Sequence, residues 1–250
     1  MPELPFSLHY TVHGEGPAWV FLHGFLESST MWDYLPLEDL PIQQIYIDLP
    51  GHGWSFELLD APSIHLMALE VQRVLDHLEI SSFSVIGHSM GAYVGLELTE
   101  REGFEHLVLL NSNCWSDSDQ KKQDRLRVAN FVHQAKAHFI REAIPNLFSN
   151  PKEHVQVIEA LIKDANDMTP EAIAFAALAM RERTDFTEFV NAHPEKFTFI
   201  HGIHDRLVSV EELQQKVPNG KIHFLDCGHM AHIEAGEEVL EILIDLIKND

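Results

Sequence analysis

The sequence predicts an α/β fold, built on an open and mostly parallel sheet with helices on both faces. Three observations predict it. Short apolar runs rich in β-formers alternate with longer stretches of helical periodicity. The turns that follow those runs carry the chemically loaded residues. A length of 250 residues suits one large catalytic domain.

The runs are AWVFL (18–22), QQIYID (43–48), SFSVIG (82–87), HLVLLN (106–111), FTFIHG (197–202) and KIHFLDC (221–227). They are nearly continuous in apolar character, as strands buried on both faces of a parallel sheet are. LHYTVHG (8–14) alternates more and reads as an edge strand entering a hairpin. Between the runs, Leu66, Leu69, Val74, Leu75 and Leu78 recur at helical spacing, as do Val239, Leu240, Leu243, Leu246 and Ile247 near the C-terminus.

One segment breaks the alternation. From about Asn113 to Thr184 no convincing strand occurs, and DQKKQDRLRVANFVHQAKAHFI, PKEHVQVIEALIKDA and TPEAIAFAALAMRER read as helices punctuated by Pro145, Pro151 and Pro170. Residues 1–112 and 185–250 are therefore expected to form the core domain, with 113–184 as a helical cap inserted between two strands. The cap helix AIAFAALAM (172–180) is apolar around most of its circumference, and Phe175, Leu178 and Met180 are its candidates for lining an acyl pocket.

Composition narrows the function. Hydrophobic residues make up 45% of the chain, enough for a large core without disulfides or metal. The 39 acidic residues outnumber the 17 basic ones, for a formal charge of −22, which would repel nucleic acid and anionic membrane surfaces. The expected partner is a small-molecule substrate. Cys114 and Cys227 make no disulfide framework. The N-terminal segment lacks the basic and apolar regions of a signal peptide, and no apolar run approaches a membrane span, so the cytoplasm is the expected location. Nothing in the sequence sets an oligomeric state.

In open α/β sheets, ligands bind outside the carboxyl ends of the strands. The turns there read HGF (23–25), DLPGHG (48–53), GHSMG (87–91), GIHD (202–205) and CGH (227–229). In GHSMG a serine stands between two glycines, after a strand and before a helix. That pattern makes a nucleophile elbow, with Ser89 projected above the sheet edge. A serine hydroxyl needs a base, and the base needs an acid to orient it. His229 and Asp205 are the candidates, in the chain order Ser, Asp, His. The backbone N–H groups of Phe25 and Met90 are the expected oxyanion donors. His23 reads as a buried histidine bonded to backbone, and His232 as a packing residue one helical turn beyond the base. His201, His204, Asp205, His229 and His232 lack metal-site spacing, and no dinucleotide or phosphate-binding glycine motif occurs, so neither metal nor cofactor is expected.

Together FLHGF, DLPGHGWS, VIGHSMG, HGIHD and CGHMAHIE resemble the α/β-hydrolase superfamily, in its small esterase- and lactonase-like branch, across nearly the whole chain. The resemblance implies an eight-stranded, mostly parallel sheet with the second strand antiparallel and a cap after the sixth. It implies the same catalytic trio, structural roles for Asp48 and Gly51, and Trp54 near the pocket mouth. Serine at position 89 disfavours relatives with an aspartate nucleophile. The expected reaction is hydrolysis of a small carboxylic ester or lactone. The alternatives are a lyase of a small carboxylated metabolite, for which Arg125, Arg127, Arg181 and Arg183 are candidate anion-binding groups, and a ligand sensor that hydrolyses slowly.

Overall fold

The computed structural model describes residues 8–249. Its centre is a sheet of seven strands: β1 (Tyr10–His13), β2 (Ala18–Leu22), β3 (Gln43–Ile47), β4 (Phe83–His88), β5 (Phe104–Leu110), β6 (Phe197–Gly202) and β7 (Lys221–Leu225). Their spatial order is β1-β3-β2-β4-β5-β6-β7. All neighbours run parallel except β1, which pairs antiparallel with β3.

Two expectations need correction. Among the described residues the strands number seven rather than eight, so the antiparallel strand is the first of them and the helical insertion follows the fifth. Residues 1–7 lie outside the described residues. LHYTVHG does form an edge strand, but it enters no hairpin. Strand β2 already has β3 on one side and β4 on the other, so β1 can pair only with β3.

The strands are buried as their composition requires. Every residue of β2, β4 and β6 is buried. Alternation along a strand sends successive side chains to opposite faces. Val20 and Leu22 therefore join one core cluster with Val85, Leu107 and Phe199. Trp19 and Phe21 join the other, with Ile86, Val108 and Ile200. Each such side chain contributes roughly 1.5–3 kcal/mol by leaving water.

Helices α1 (Ile64–His77) and α2 (Met90–Glu97) cover the first face, and the second is covered by the C-terminal helix described below. Ser63 starts α1 by accepting a hydrogen bond from the Leu66 N–H at 3.3 Å. Between β5 and β6 lie α3 (Asp119–Ala143), α4 (Val155–Ala165), α5 (Pro170–Arg181) and the short α6 (Thr187–Ala192). The first three fall inside 113–184. Thr169 caps α5 through the Ala172 N–H at 3.1 Å, with Pro170 at the first helical position, where its missing N–H costs nothing. Helix α3 bends at Ala135, whose backbone is non-helical. Then follow α7 (Val210–Lys216), α8 (Ala231–Glu234) and α9 (Gly236–Asn249). Val239, Leu243 and Leu246 of α9 bury against the second face, which explains the spacing in the sequence. No helix among the described residues is long and apolar enough to cross a membrane.

Cys114 and Cys227 follow β5 and β7, on either side of β6, and both are buried and unpaired. Burial pushes each thiol up to about 12. The thiolate is the reactive form, so both should resist alkylation in the folded protein. Titration with a thiol reagent in denaturant, without reductant, is expected to find two thiols, and the folded protein to react far more slowly. A count of zero in denaturant would contradict the fold.

Candidate active site

The site is assembled where β4, β5, β6 and β7 end. Ser89 sits between β4 and α2 with φ 49° and ψ −111°. A positive φ is uncommon for a residue with a side chain and persists only where its surroundings impose it. Here the Ser89 N–H donates to the Leu110 carbonyl at 3.0 Å, and the Ser112 hydroxyl donates to the Ser89 carbonyl at 2.8 Å. The flanking glycine is obligatory. A Cβ on Gly91 would come within 2.2 Å of the Leu22 carbonyl oxygen. The sharp turn thus depends on backbone packing against the end of β2.

His229 leaves the end of β7 after Gly228, and its N–H donates to the Leu147 carbonyl at 2.7 Å. Its Nδ1 lies 2.7 Å from Asp205 Oδ2. Asp205 stands in the turn after β6, where its Oδ1 accepts from the Leu207 N–H at 2.8 Å and the Val208 N–H at 3.2 Å. Burial works to raise the Asp205 carboxyl. The adjoining His229, by charge and hydrogen bond, then His201 and the Leu207 amide, hold it well below the usual carboxylate range. Asp205 is therefore a carboxylate at neutral pH, and its Oδ2 accepts the hydrogen bond from His229 Nδ1. Asp226, just past the end of β7, is exposed instead and pairs with His204 at 2.8 Å.

Ser89 and His229 line one cavity of about 580 Å³. Phe25 lines it too, and Met90 is the first residue of α2, where backbone N–H groups lack intrahelical partners. Of the expected acyl-pocket residues only Met180 reaches the cavity wall. Helix α5 is buried on most sides, so Phe175 packs into the core cluster of α1 and α2 and Leu178 against the cluster of α3 and α4. Trp54 is 69% exposed and stacks edge-on with Phe56 at 5.8 Å. Asp48 holds that turn by its backbone, accepting from the Trp54 N–H at 3.0 Å, which leaves the indole outside. The rest of the wall is apolar at Tyr93, Val128, Phe139 and Leu147, and it carries charges of both signs, the cations Lys121, Arg125 and Arg206 and the carboxylates Glu27, Asp117 and Asp124.

His23 is fully buried between the Gly24 carbonyl at 2.8 Å and the Leu49 N–H at 2.9 Å, a structural role. Among the described residues, no group of three or more His, Cys, Asp or Glu is placed to hold a metal ion. Two supporting residues escaped the sequence. Asn111, at the end of β5 with φ 46°, donates to Asp205 Oδ2 at 3.2 Å and to the Gly228 carbonyl at 3.0 Å. Its place at a strand's carboxyl end was the available signal. Glu234 accepts from the Gly228 and Ser149 N–H groups and so holds the His229 loop. Nothing in the sequence marks it out from the other acids of the C-terminal segment.

With this geometry the molecule falls into the class of hydrolase-fold proteins whose polar turns meet at the carboxyl edge of a parallel sheet. A profile of the Alpha/beta hydrolase family matches residues 19–242, and the chain belongs to that family. Its structure is similar to that of a thermophilic esterase from Thermogutta terrifontis, solved with malate bound, at a TM-score of 0.88 and 28% identity, over 97% of this chain and 93% of that one. It is 25% identical to 2-hydroxy-6-oxononadienedioate/2-hydroxy-6-oxononatrienedioate hydrolase 2 of Pseudomonas putida, over 99% of this chain and 93% of the relative. It is 26% identical to the dihydrolipoyllysine-residue acetyltransferase component of the acetoin cleaving system of Pseudomonas putida, over 96% of this chain but only 66% of that longer protein.

His232 supplies a pH prediction. It is fully buried, and neither ring nitrogen has a hydrogen-bond partner among the described residues. Burial, then the charge of His88, depresses it to about 3. Burial and His23 depress His52 likewise to about 3. An unfolded imidazole protonates near pH 6.5, so between about pH 6.5 and 3 the unfolded chain binds protons that these folded histidines refuse. Their contribution to stability is intact above pH 6.5 and falls as the pH drops, by roughly 2 kcal/mol per histidine at pH 5. His232→Leu removes one such group without breaking a hydrogen bond. Thermal melts at pH 7 and pH 5 should show a smaller loss of Tm on acidification for the variant than for the parent. Equal losses would mean that His232 takes up its proton in the folded state.

Proposed function

We propose that the protein is a serine hydrolase that cleaves a small carboxylic ester or lactone through an acyl-enzyme. One observation carries the proposal: a serine held at positive φ shares a cavity with a histidine whose far nitrogen is bonded to a buried carboxylate. In this reading His229 Nε2 takes the proton as Ser89 Oγ attacks the carbonyl carbon. The Phe25 and Met90 N–H groups receive the oxyanion, a stabilisation worth about 3 kcal/mol per donor in a measured case. Collapse of the tetrahedral intermediate expels the alkoxide, which takes the proton from His229. In a lactone that alcohol stays tethered to the acyl group. Water then attacks the acyl-enzyme with His229 again as base, and the acid leaves as Ser89 recovers its proton. Asp205 holds the imidazole in the required tautomer and offsets its transient charge. The match to an esterase supports the ester class.

The apolar wall suits a small or medium acyl group, with Met180 at its lid side. The cap built from 113–184 is the proposed lid. A second reading, a lyase or related enzyme acting on a carboxylated metabolite, draws on the cations Lys121, Arg125 and Arg206 in the same wall. Of the four lid arginines considered from sequence only Arg125 lines the cavity, and it is itself paired with the buried Asp117 at 3.1 Å. Arg127 pairs with Asp124, Arg181 with Glu182, and Arg183 with the buried Asp117 at 2.6 Å.

A panel of aryl esters, lactones and ω-carboxy esters tests both readings. Ester turnover is expected in the parent and absent in Ser89→Ala. His229→Ala should lower kcat about a thousandfold or more in folded protein. Met180→Ala should change the preference among acyl chain lengths more than the rate on acetate esters, since pocket contacts discriminate by about 1–3 kcal/mol per methylene. Undiminished turnover in Ser89→Ala would defeat the proposal. Turnover confined to carboxylated substrates, without release of an alcohol, would favour the second reading.

A further inference from the structure

A concentration of buried charge lies directly beside the proposed site and takes no part in the mechanism above. His88 is the last residue of β4, immediately before Ser89, and its side chain is 2% exposed. Its Nδ1 lies 2.8 Å from Glu27 Oε2, and its Nε2 lies 2.9 Å from the His229 carbonyl oxygen. Both partners are acceptors. A neutral imidazole has one N–H and could satisfy only one of them, whereas an imidazolium satisfies both. Glu27 is also buried, and its Oε2 accepts a second hydrogen bond, from the Gly24 N–H at 2.7 Å.

We infer that Glu27 and His88 form a buried ion pair, with the His88 imidazolium clamped between the Glu27 carboxylate and the His229 carbonyl, and that this pair positions the base-bearing loop and the oxyanion loop about Ser89. Three segments meet in it: the turn after β2 that carries Phe25, the end of β4 that carries Ser89, and the loop after β7 that carries His229. The glycine of the first segment is required by the pair. A Cβ on Gly24 would stand 2.5 Å from Glu27 Oε2 and 2.7 Å from His88 Nδ1. The surrounding electrostatics agree. Burial works against the charge on His88, but the charge and hydrogen bond of Glu27, then the His229 carbonyl and Asp205, raise its proton affinity. Burial likewise works against the Glu27 carboxylate, and His88, by its charge and its hydrogen bond, holds it down to about 2.

The other titratable rings that face His88 are His229, with centroids 5.1 Å apart, and His232, at 5.0 Å. His232 is neutral in the folded protein, so the positive charge of the cluster resides on His88. That charge lies against His229 and opposes formation of a second imidazolium there, while Glu27 lies on the far side of His88. The pair is therefore expected to influence both the placement of the base and the pH at which it works. The positioning role rests on the proposed hydrolytic role of Ser89 and His229; the charge state of the pair does not.

Glu27→Gln tests the pair. The amide can still accept from Gly24, but it removes the carboxylate that sustains the imidazolium. On a short aryl ester the variant should lose at least tenfold in kcat, with KM within about twofold of the parent. The acid limb of its kcat/KM profile should move to higher pH, because the cation beside His229 is gone. A merely structural loss would lower activity without moving that limb. In parallel, nitrogen-15 NMR of the histidine rings in Ser89→Ala, with His88 assigned by comparison with His88→Gln, reads the charge without turnover. Two protonated ring nitrogens on His88 from pH 6 to 8 are expected, and one in the Ser89→Ala, Glu27→Gln double variant. A neutral His88 at pH 7 in Ser89→Ala overturns the ion pair, whether or not the Glu27 variant folds. An unchanged kcat and acid limb in Glu27→Gln, with the His88 charge lost, overturns its positioning role. Ester turnover that survives in Ser89→Ala defeats the hydrolytic reading instead, and the NMR result still decides the ion pair.

Discussion

A carboxylate taken out of water must have its oxygens satisfied, and the arrangement of this molecule's functional edge follows from how that is done for Asp205. Its Oδ1 takes two backbone N–H groups of its own turn, and its Oδ2 takes His229 and Asn111. These hydrogen bonds tie the ends of β5, β6 and β7 to one side chain. A hydrogen bond to a charged group is worth about 1.5–3 kcal/mol, and leaving such a group unpaired costs more. Asn111 extends the same network by bonding the Gly228 carbonyl and accepting from the Ala231 N–H at 3.2 Å, so the loop that carries His229 is held from both sides.

The parallel sheet makes this economical. Strands that all end on one edge bring turns distant in sequence into contact, and each turn needs to supply only one or two groups. Ser89 comes from β4, Asn111 from β5, Asp205 from β6 and His229 from β7. The insertion between β5 and β6 then roofs the edge. It closes an apolar wall over Ser89 and His229, and it brings Lys121 and Arg125 to the same cavity in a chain whose formal charge is −22. These cations share the wall with Glu27, Asp117 and Asp124, and Arg125 is bonded to Asp117, so the wall carries charge of both signs.

Much of the fold was legible because strand burial writes itself into composition. AWVFL is apolar throughout and FTFIHG is mostly so, interrupted by the buried Thr198 and His201, and both lie in strands covered on both faces. The elbow was legible because glycine is dictated at Gly91 by a backbone approach that no Cβ survives. The juxtaposition of His229 with Asp205 could be anticipated because both follow strand ends. Less legible was whatever depends on which way a side chain turns. Helix α5 is apolar nearly all round, so nothing in AIAFAALAM says that Met180 reaches the cavity while Phe175 enters the core. Trp54 follows a well-marked loop, yet the loop is pinned by backbone and the indole is left in water. The Glu27 and His88 contact joins residues 61 positions apart, and neither lies in a pattern that announces the other. Leu69 illustrates the reverse error, for it keeps helical spacing but is 39% exposed.

The central claim is that the backbone and its buried carboxylate make one serine of this chain a nucleophile. A fluorophosphonate probe tests it without any knowledge of substrate, because only an activated hydroxyl reacts at a useful rate. Intact-mass and peptide mass spectrometry of the treated protein should find a single adduct, on Ser89, formed more slowly in Asp205→Asn, where His229 loses the partner that fixes its tautomer. An adduct on any other residue, or none at all on correctly folded protein, would contradict the account.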